Sequence, residues 1–127
     1  MRRSKTKEKV FKRFIQELIR RKPRSTLLLF GSRAKGEATP LSDYDLLMVV
    51  EEPTEIEAPP FIQLSIIDVR ELEVEIRRFN TLVVDAVIEG IVLHDGLGIY
   101  EEMKRIVRRE IARRKVKKDG RGWIPTT

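Results

Sequence analysis

The chain has 127 residues, enough for one compact domain, with 41% apolar residues, 36% charged residues and a net charge of +6. It has no cysteine and one histidine, His94, which excludes a disulfide scaffold, a thiol nucleophile, and a cysteine or multi-histidine zinc site. No apolar run approaches the roughly 18 residues of a membrane span, and the basic amino terminus leads into an amphipathic segment rather than an apolar one. The cytoplasm is therefore the expected location. Arg, Lys and Glu abound while Asn occurs once and Gln twice (Asn80, Gln16, Gln63), a composition like that of heat-adapted proteins.

In chain order, Val10, Phe11, Phe14, Ile15, Leu18 and Ile19 recur at helical spacing, predicting an amphipathic helix from about Ser4 to Arg21 that Pro23 ends. Thr26–Phe30 is a short apolar run and predicts a buried strand. Gly31-Ser32 turns the chain into a short helical turn ending near Gly36, and a loop with Pro40 follows. Asp43–Val50 predicts a second strand, the Pro-rich stretch from Glu51 to Pro60 an exposed loop, and Phe61–Ile67 a third strand. Two short helices, Arg70–Phe79 and Thr81–Glu89, break near Asn80, with Gly90 as a stop. Ile91–His94 predicts a fourth strand, Leu97 to about Lys117 a last helix, and Asp119–Thr127 a tail. This order predicts an α+β fold: a small mixed sheet with helices on one side, in one domain over residues 1–117, before a basic tail at 118–127.

The informative stretch is Leu27–Val50, in which an apolar strand runs into Gly-Ser and the next strand opens on Asp-Tyr-Asp. Side chains alternate across a strand, so Asp43 and Asp45 share a face and Tyr44 takes the other, where it is expected to pack. Two carboxylates at the mouth of an apolar strand repel each other and cost desolvation, which a hard dication relieves. Magnesium is often held by one or two carboxylates plus substrate phosphates, and two such metals can clamp an in-line phosphoryl displacement. Gly31 lets the backbone approach a ligand, and the N–H groups of Ser32 and Arg33 with the Ser32 hydroxyl are candidate donors to an anion. Arg33 and Lys35 add positive charge beside them and are candidate phosphate contacts.

These residues resemble the signature of the polymerase-beta-like nucleotidyltransferase superfamily: Gly-Ser, a spacer (here ten residues), then Asp-x-Asp on the next strand. The wording is similar to that of the small minimal nucleotidyltransferases of archaea and bacteria, and a weaker likeness runs through Asp85, Glu89, Gly90 and Leu93 to about His94. The resemblance implies a largely antiparallel mixed sheet flanked by helices. It implies transfer of a nucleoside monophosphate, AMP above all, from ATP or another triphosphate to a hydroxyl of a protein or nucleic acid. It assigns Asp43 and Asp45 to magnesium, and Gly31 and Ser32 to the β and γ phosphates. Small members of this kind pair with a helical partner protein in toxin–antitoxin systems.

The sequence departs from the family at one place. The third strand, FIQLSII, holds no acid where a third carboxylate is usual; Gln63 takes that position, with Ser65 the alternative. A glutamine coordinates through its carbonyl but is no general base. Weak or partner-dependent transfer is the expectation, and a catalytically degenerate binding module is the alternative. The run holding Arg113, Arg114, Lys115, Lys117 and Lys118, within a basic segment reaching Arg121, is a candidate contact for RNA or an acidic partner. The candidate partners are thus a triphosphate, a small helical protein, RNA and a second copy of the chain. Asp85 and His94 are expected to be structural, and Trp123 either anchors an interface or covers the protein's own core.

Overall fold

The computed structural model describes residues 2–120 and 122–126, with side chains from residue 6 onward; Arg121, in the basic segment, lies outside the described residues. Helix α1 (Arg2–Arg21) leads into β1 (Ser25–Phe30), the single turn α2 (Ser32–Lys35), β2 (Tyr44–Val50) and β3 (Ile62–Asp68). Then come α3 (Val69–Arg77), α4 (Thr81–Glu89), β4 (Ile91–Asp95), α5 (Tyr100–Arg114), β5 (Val116–Asp119) and β6 (Gly122–Pro125).

Four strands form one sheet in the order β3-β2-β1-β4. The β1–β2 and β1–β4 pairs are antiparallel, and β2–β3 is parallel. The fold is therefore α+β with a mixed, mostly antiparallel sheet, as expected. A parallel pair needs a crossover, and the Pro-rich loop supplies it without a helix, pressing Ile56 and Ala58 onto the sheet as it passes.

The sheet carries helices on both faces, a correction to the one-sided arrangement expected from element order. On one face Phe11, Ile15 and Leu18 of α1 meet Leu27, Leu29, Tyr44, Leu46, Met48, Val50 and Ile62. On the other, α3, α4 and α5 bring Leu72, Ile76, Val83, Val84, Val87, Met103 and Val107 against Leu28, Leu47 and Val49. The strands themselves demand this. LLL in β1 and LLMVV in β2 are apolar at consecutive positions, so both pleat faces need cover, and α1 is the element left to supply it. Each such side chain, fully buried, contributes about 1.5–3 kcal/mol.

Asn80 caps α4 by accepting from Leu82 N at 3.1 Å. Gly90 does end α4, but through close packing rather than a left-handed turn: a Cβ there would stand 2.1 Å from Ala86 O and 3.0 Å from Leu29 O. The end of the chain differs from expectation. The last helix stops at Arg114, because Lys115 turns left-handed (φ 55°), and β5 and β6 form a hairpin where the helix end and tail were expected. Trp123 of that hairpin packs edge-on against Phe79, ring centres 5.2 Å apart, and so covers the protein's own core.

Candidate active site

The site lies at the edge of the sheet where β1 ends and β2 and β3 begin. Asp45 is level with Phe30 on one side and with Gln63 on the other. Asp43 is exposed just before β2, and Gln63 Nε2 stands 3.4 Å from its Oδ2. The three side chains predicted to converge thus do so. Ser65 sits two residues deeper, level with Leu47, away from the acids. Asp68, at the far end of β3, caps α3 by accepting from Arg70 N at 2.8 Å, and Arg70 holds its carboxyl down at about 2.

Burial raises the Asp45 carboxyl above its ordinary value, and the neighbouring charge of Asp43 raises it further. A cation beside the pair would relieve that repulsion. Among the described residues no group of three or more His, Cys, Asp or Glu could hold a metal ion, and the candidate donors here are the two acids and the Gln63 amide. Those are hard oxygen donors and fit magnesium, which takes its remaining ligands from phosphates and water.

Gly31 lies directly against this pair. Its φ of 75° and ψ of −157° suit only glycine, and a Cβ on it would stand 2.3 Å from Asp45 Oδ2. The loop after it folds on the Gly31 carbonyl, which accepts from Ala34 N and Lys35 N. The N–H groups of Ser32 and Arg33 make no such backbone hydrogen bond among the described residues, and the Ser32 hydroxyl has no partner there either.

The two basic residues of the loop diverge. Arg33 lies on the α1 side, its guanidinium 4.2 Å over the Tyr44 ring and donating to Ser42 O at 2.7 Å. Lys35 stays on the acid side and pairs with Glu89 at 3.3 Å. Tyr44 is buried, its ring stacked on Phe11 at 4.0 Å. His94 donates to Pro23 O at 2.7 Å and is structural. Asp85 accepts from the Trp123 indole at 2.9 Å and pairs with Lys118 at 3.0 Å.

The basic carboxy-terminal residues do not form one free patch. Arg113 and Arg114 both hold Glu110, and Arg114 also donates to Arg77 O at 2.6 Å. Lys118 reaches Asp85 and Glu89, whereas Lys115 and Lys117 are exposed. The sequence reading missed the link between Lys118 and the site. Asp119-Gly120 between residues of strand type is the signal that would have marked the hairpin.

A glycine-led loop against paired aspartates on a mixed sheet defines a nucleotide-handling α+β domain. A profile of the nucleotidyltransferase domain matches residues 11–118, and the chain belongs to that family. Among solved structures, the chain is similar to a candidate nucleotidyltransferase from Sulfolobus solfataricus, with 18% identity over 72% of this chain and 82% of that one, at a TM-score of 0.47. No curated protein matches it. Among the described residues, no helix is long and apolar enough to cross a membrane.

Proposed function

We propose that the chain transfers a nucleoside monophosphate, AMP in the first instance, from a triphosphate to a hydroxyl of a protein or RNA acceptor, with magnesium. The observation that carries this is the contact of Gly31 with Asp45, because it sets open backbone donors beside paired carboxylates. The N–H groups of Ser32 and Arg33 and the Ser32 hydroxyl bind the outer phosphates. Asp43, Asp45 and the Gln63 carbonyl oxygen hold the metal. Bound there, magnesium neutralises phosphate charge and makes the α-phosphorus a better electrophile.

The acceptor oxygen forms a bond to the α-phosphorus, the bond to the bridging oxygen breaks, and pyrophosphate leaves with that electron pair. The proton of the acceptor hydroxyl goes to water or to a group on the acceptor, because Gln63 cannot take it. Turnover is accordingly slow, or rises when a partner supplies the base. A small helical protein is one such partner.

Gln63 at the third position also favours a second reading, a binding module that holds a nucleotide and a partner without chemistry. Incubation with labelled ATP, magnesium and protein or RNA acceptors separates the two. Label transfer that Asp43→Asn abolishes supports the enzyme. Magnesium-dependent ATP binding with no transfer to any acceptor rejects the enzyme and leaves the module.

A further inference from the structure

Resting on that nucleotide-site reading, we infer that Lys118 is a second phosphate-binding lysine, delivered by the carboxy-terminal hairpin and shared with Lys35 through Glu89. Glu89 is the last residue of α4, which packs on the same sheet face that carries Asp45 and Gln63. One Glu89 oxygen lies 3.3 Å from Lys35 Nζ and the other 3.5 Å from Lys118 Nζ. The loop that follows β1 and the hairpin at the end of the chain therefore place two ammonium groups on either side of one carboxylate.

Both contacts are longer than the 2.7–2.9 Å usual for a charge-assisted hydrogen bond. Lys118 also pairs with Asp85 at 3.0 Å, so its ammonium is shared between Asp85 and Glu89, while Glu89 serves both lysines; each ammonium has three donors to place. The lysine side chains are 33% and 21% exposed, so they are partly desolvated yet reachable. Arg33 is held on the opposite face, whereas these two lysines meet at Glu89 on the acid side. A triphosphate on the Gly31–Lys35 loop brings several oxygens that compete with Glu89 for Lys35, and with Asp85 and Glu89 for Lys118.

The hairpin has a built-in reporter. Lys118 stands opposite Trp123 in the hairpin register, its ammonium 5.5 Å from the ring centre, and Trp123 is the only tryptophan of the chain. Movement of Lys118 toward a phosphate changes the indole's surroundings.

The test is titration of the full chain with ATP and AMP in magnesium, following heat and Trp123 emission. Lys118→Gln is expected to weaken ATP binding about ten-fold, the worth of one charged hydrogen bond, with little effect on AMP. Lys118→Arg recovers most of the loss, and Lys12→Gln, a like charge removed from α1, changes nothing. Glu89→Gln releases Lys35, leaves Lys118 held by Asp85 alone, and tightens ATP binding, an effect opposite to that of mere structural loosening. The ATP-induced emission change disappears in Lys118→Gln. Wild-type ATP affinity in Lys118→Gln, equal losses for AMP and ATP, or weaker ATP binding in Glu89→Gln each overturns this role for Lys118. Absence of magnesium-dependent ATP binding in the unaltered chain instead overturns the nucleotide-site reading and this inference with it.

Discussion

The backbone of Gly31 lies so near Asp45 that a methyl group on the glycine would stand 2.3 Å from a carboxylate oxygen. Loop and acid are thus fitted to each other, and neither can change without the other moving. Gly31→Ala must shift the loop, displace the carboxylate, or both, and it also forces alanine into a backbone region that essentially only glycine occupies. Urea unfolding should show a loss of about 1–3 kcal/mol. Magnesium-dependent ATP binding should fall further than that loss explains, because the surviving folded molecules carry a displaced Asp45.

Asp45 itself opposes folding at neutral pH. Its carboxyl is raised by burial and by Asp43, so the folded chain holds that proton more tightly than the unfolded one. Ionised Asp45 therefore costs stability above its folded value, and the cost vanishes as pH falls below the unfolded value. Asp45→Asn should raise Tm of the metal-free chain at pH 7, and the gain should fade at acid pH where the native carboxyl is also neutral. The same variant should lose transfer and lose the Tm gain that magnesium and ATP give the unaltered chain. A fall in Tm for metal-free Asp45→Asn would contradict the electrostatic account.

Gln63 is level with Asp45 and near Asp43, so an acid there would complete a three-carboxylate site. Gln63→Asp should raise initial transfer rates about 100-fold or more, the usual worth of a positioned base. The gain should grow as pH rises through the ionisation of the new acid. Unchanged rates across pH 5–9 would show that deprotonation of the acceptor does not limit turnover.

Glu110 is the buried acid of α5, held by Arg113 and Arg114. Its hydrogen bond to Arg113, with help from Arg114, holds its carboxyl down from 4.5 to about 2. A lowered carboxyl stabilises the fold fully above the unfolded value, and that contribution is lost as pH falls from about 4.5 toward about 2. Glu110→Gln should cost about 1.5–3 kcal/mol at pH 7, the range for hydrogen bonds to charged groups. Thermal melts of both chains should converge between pH 5 and pH 2. A gap that stays constant with pH would remove the ion pairs as its cause.

What the sequence disclosed was what is local in it. Gly31-Ser32, Asp-x-Asp and the two apolar strand runs carry their meaning within a few residues, and Gln63 follows from counting along the third strand. The second helical face was hidden because an amphipathic stripe such as Phe11, Ile15 and Leu18 says that a helix is covered, not which side of the sheet covers it. Arg33 and Lys35 look equivalent in sequence, yet the turn sends one toward Tyr44 and the other toward Glu89. The end of α5 was obscured because Ala112, Arg113, Arg114 and Lys115 are all good helix formers, while Lys115 breaks the helix through a backbone angle that composition does not reveal. Lys118 was visible only as one charge in a basic run, since its pairing with Asp85 and Glu89 spans some 30 residues of chain.

Tyr44 sits between the two aspartates in the chain and points the other way, clasped by Phe11 and Arg33. The amino-terminal helix therefore braces, from behind the sheet, the start of the strand that carries the carboxylates, as a keel steadies what stands on deck. Any molecule that grips that helix and tilts it should disturb the Asp43–Asp45 pair without touching it.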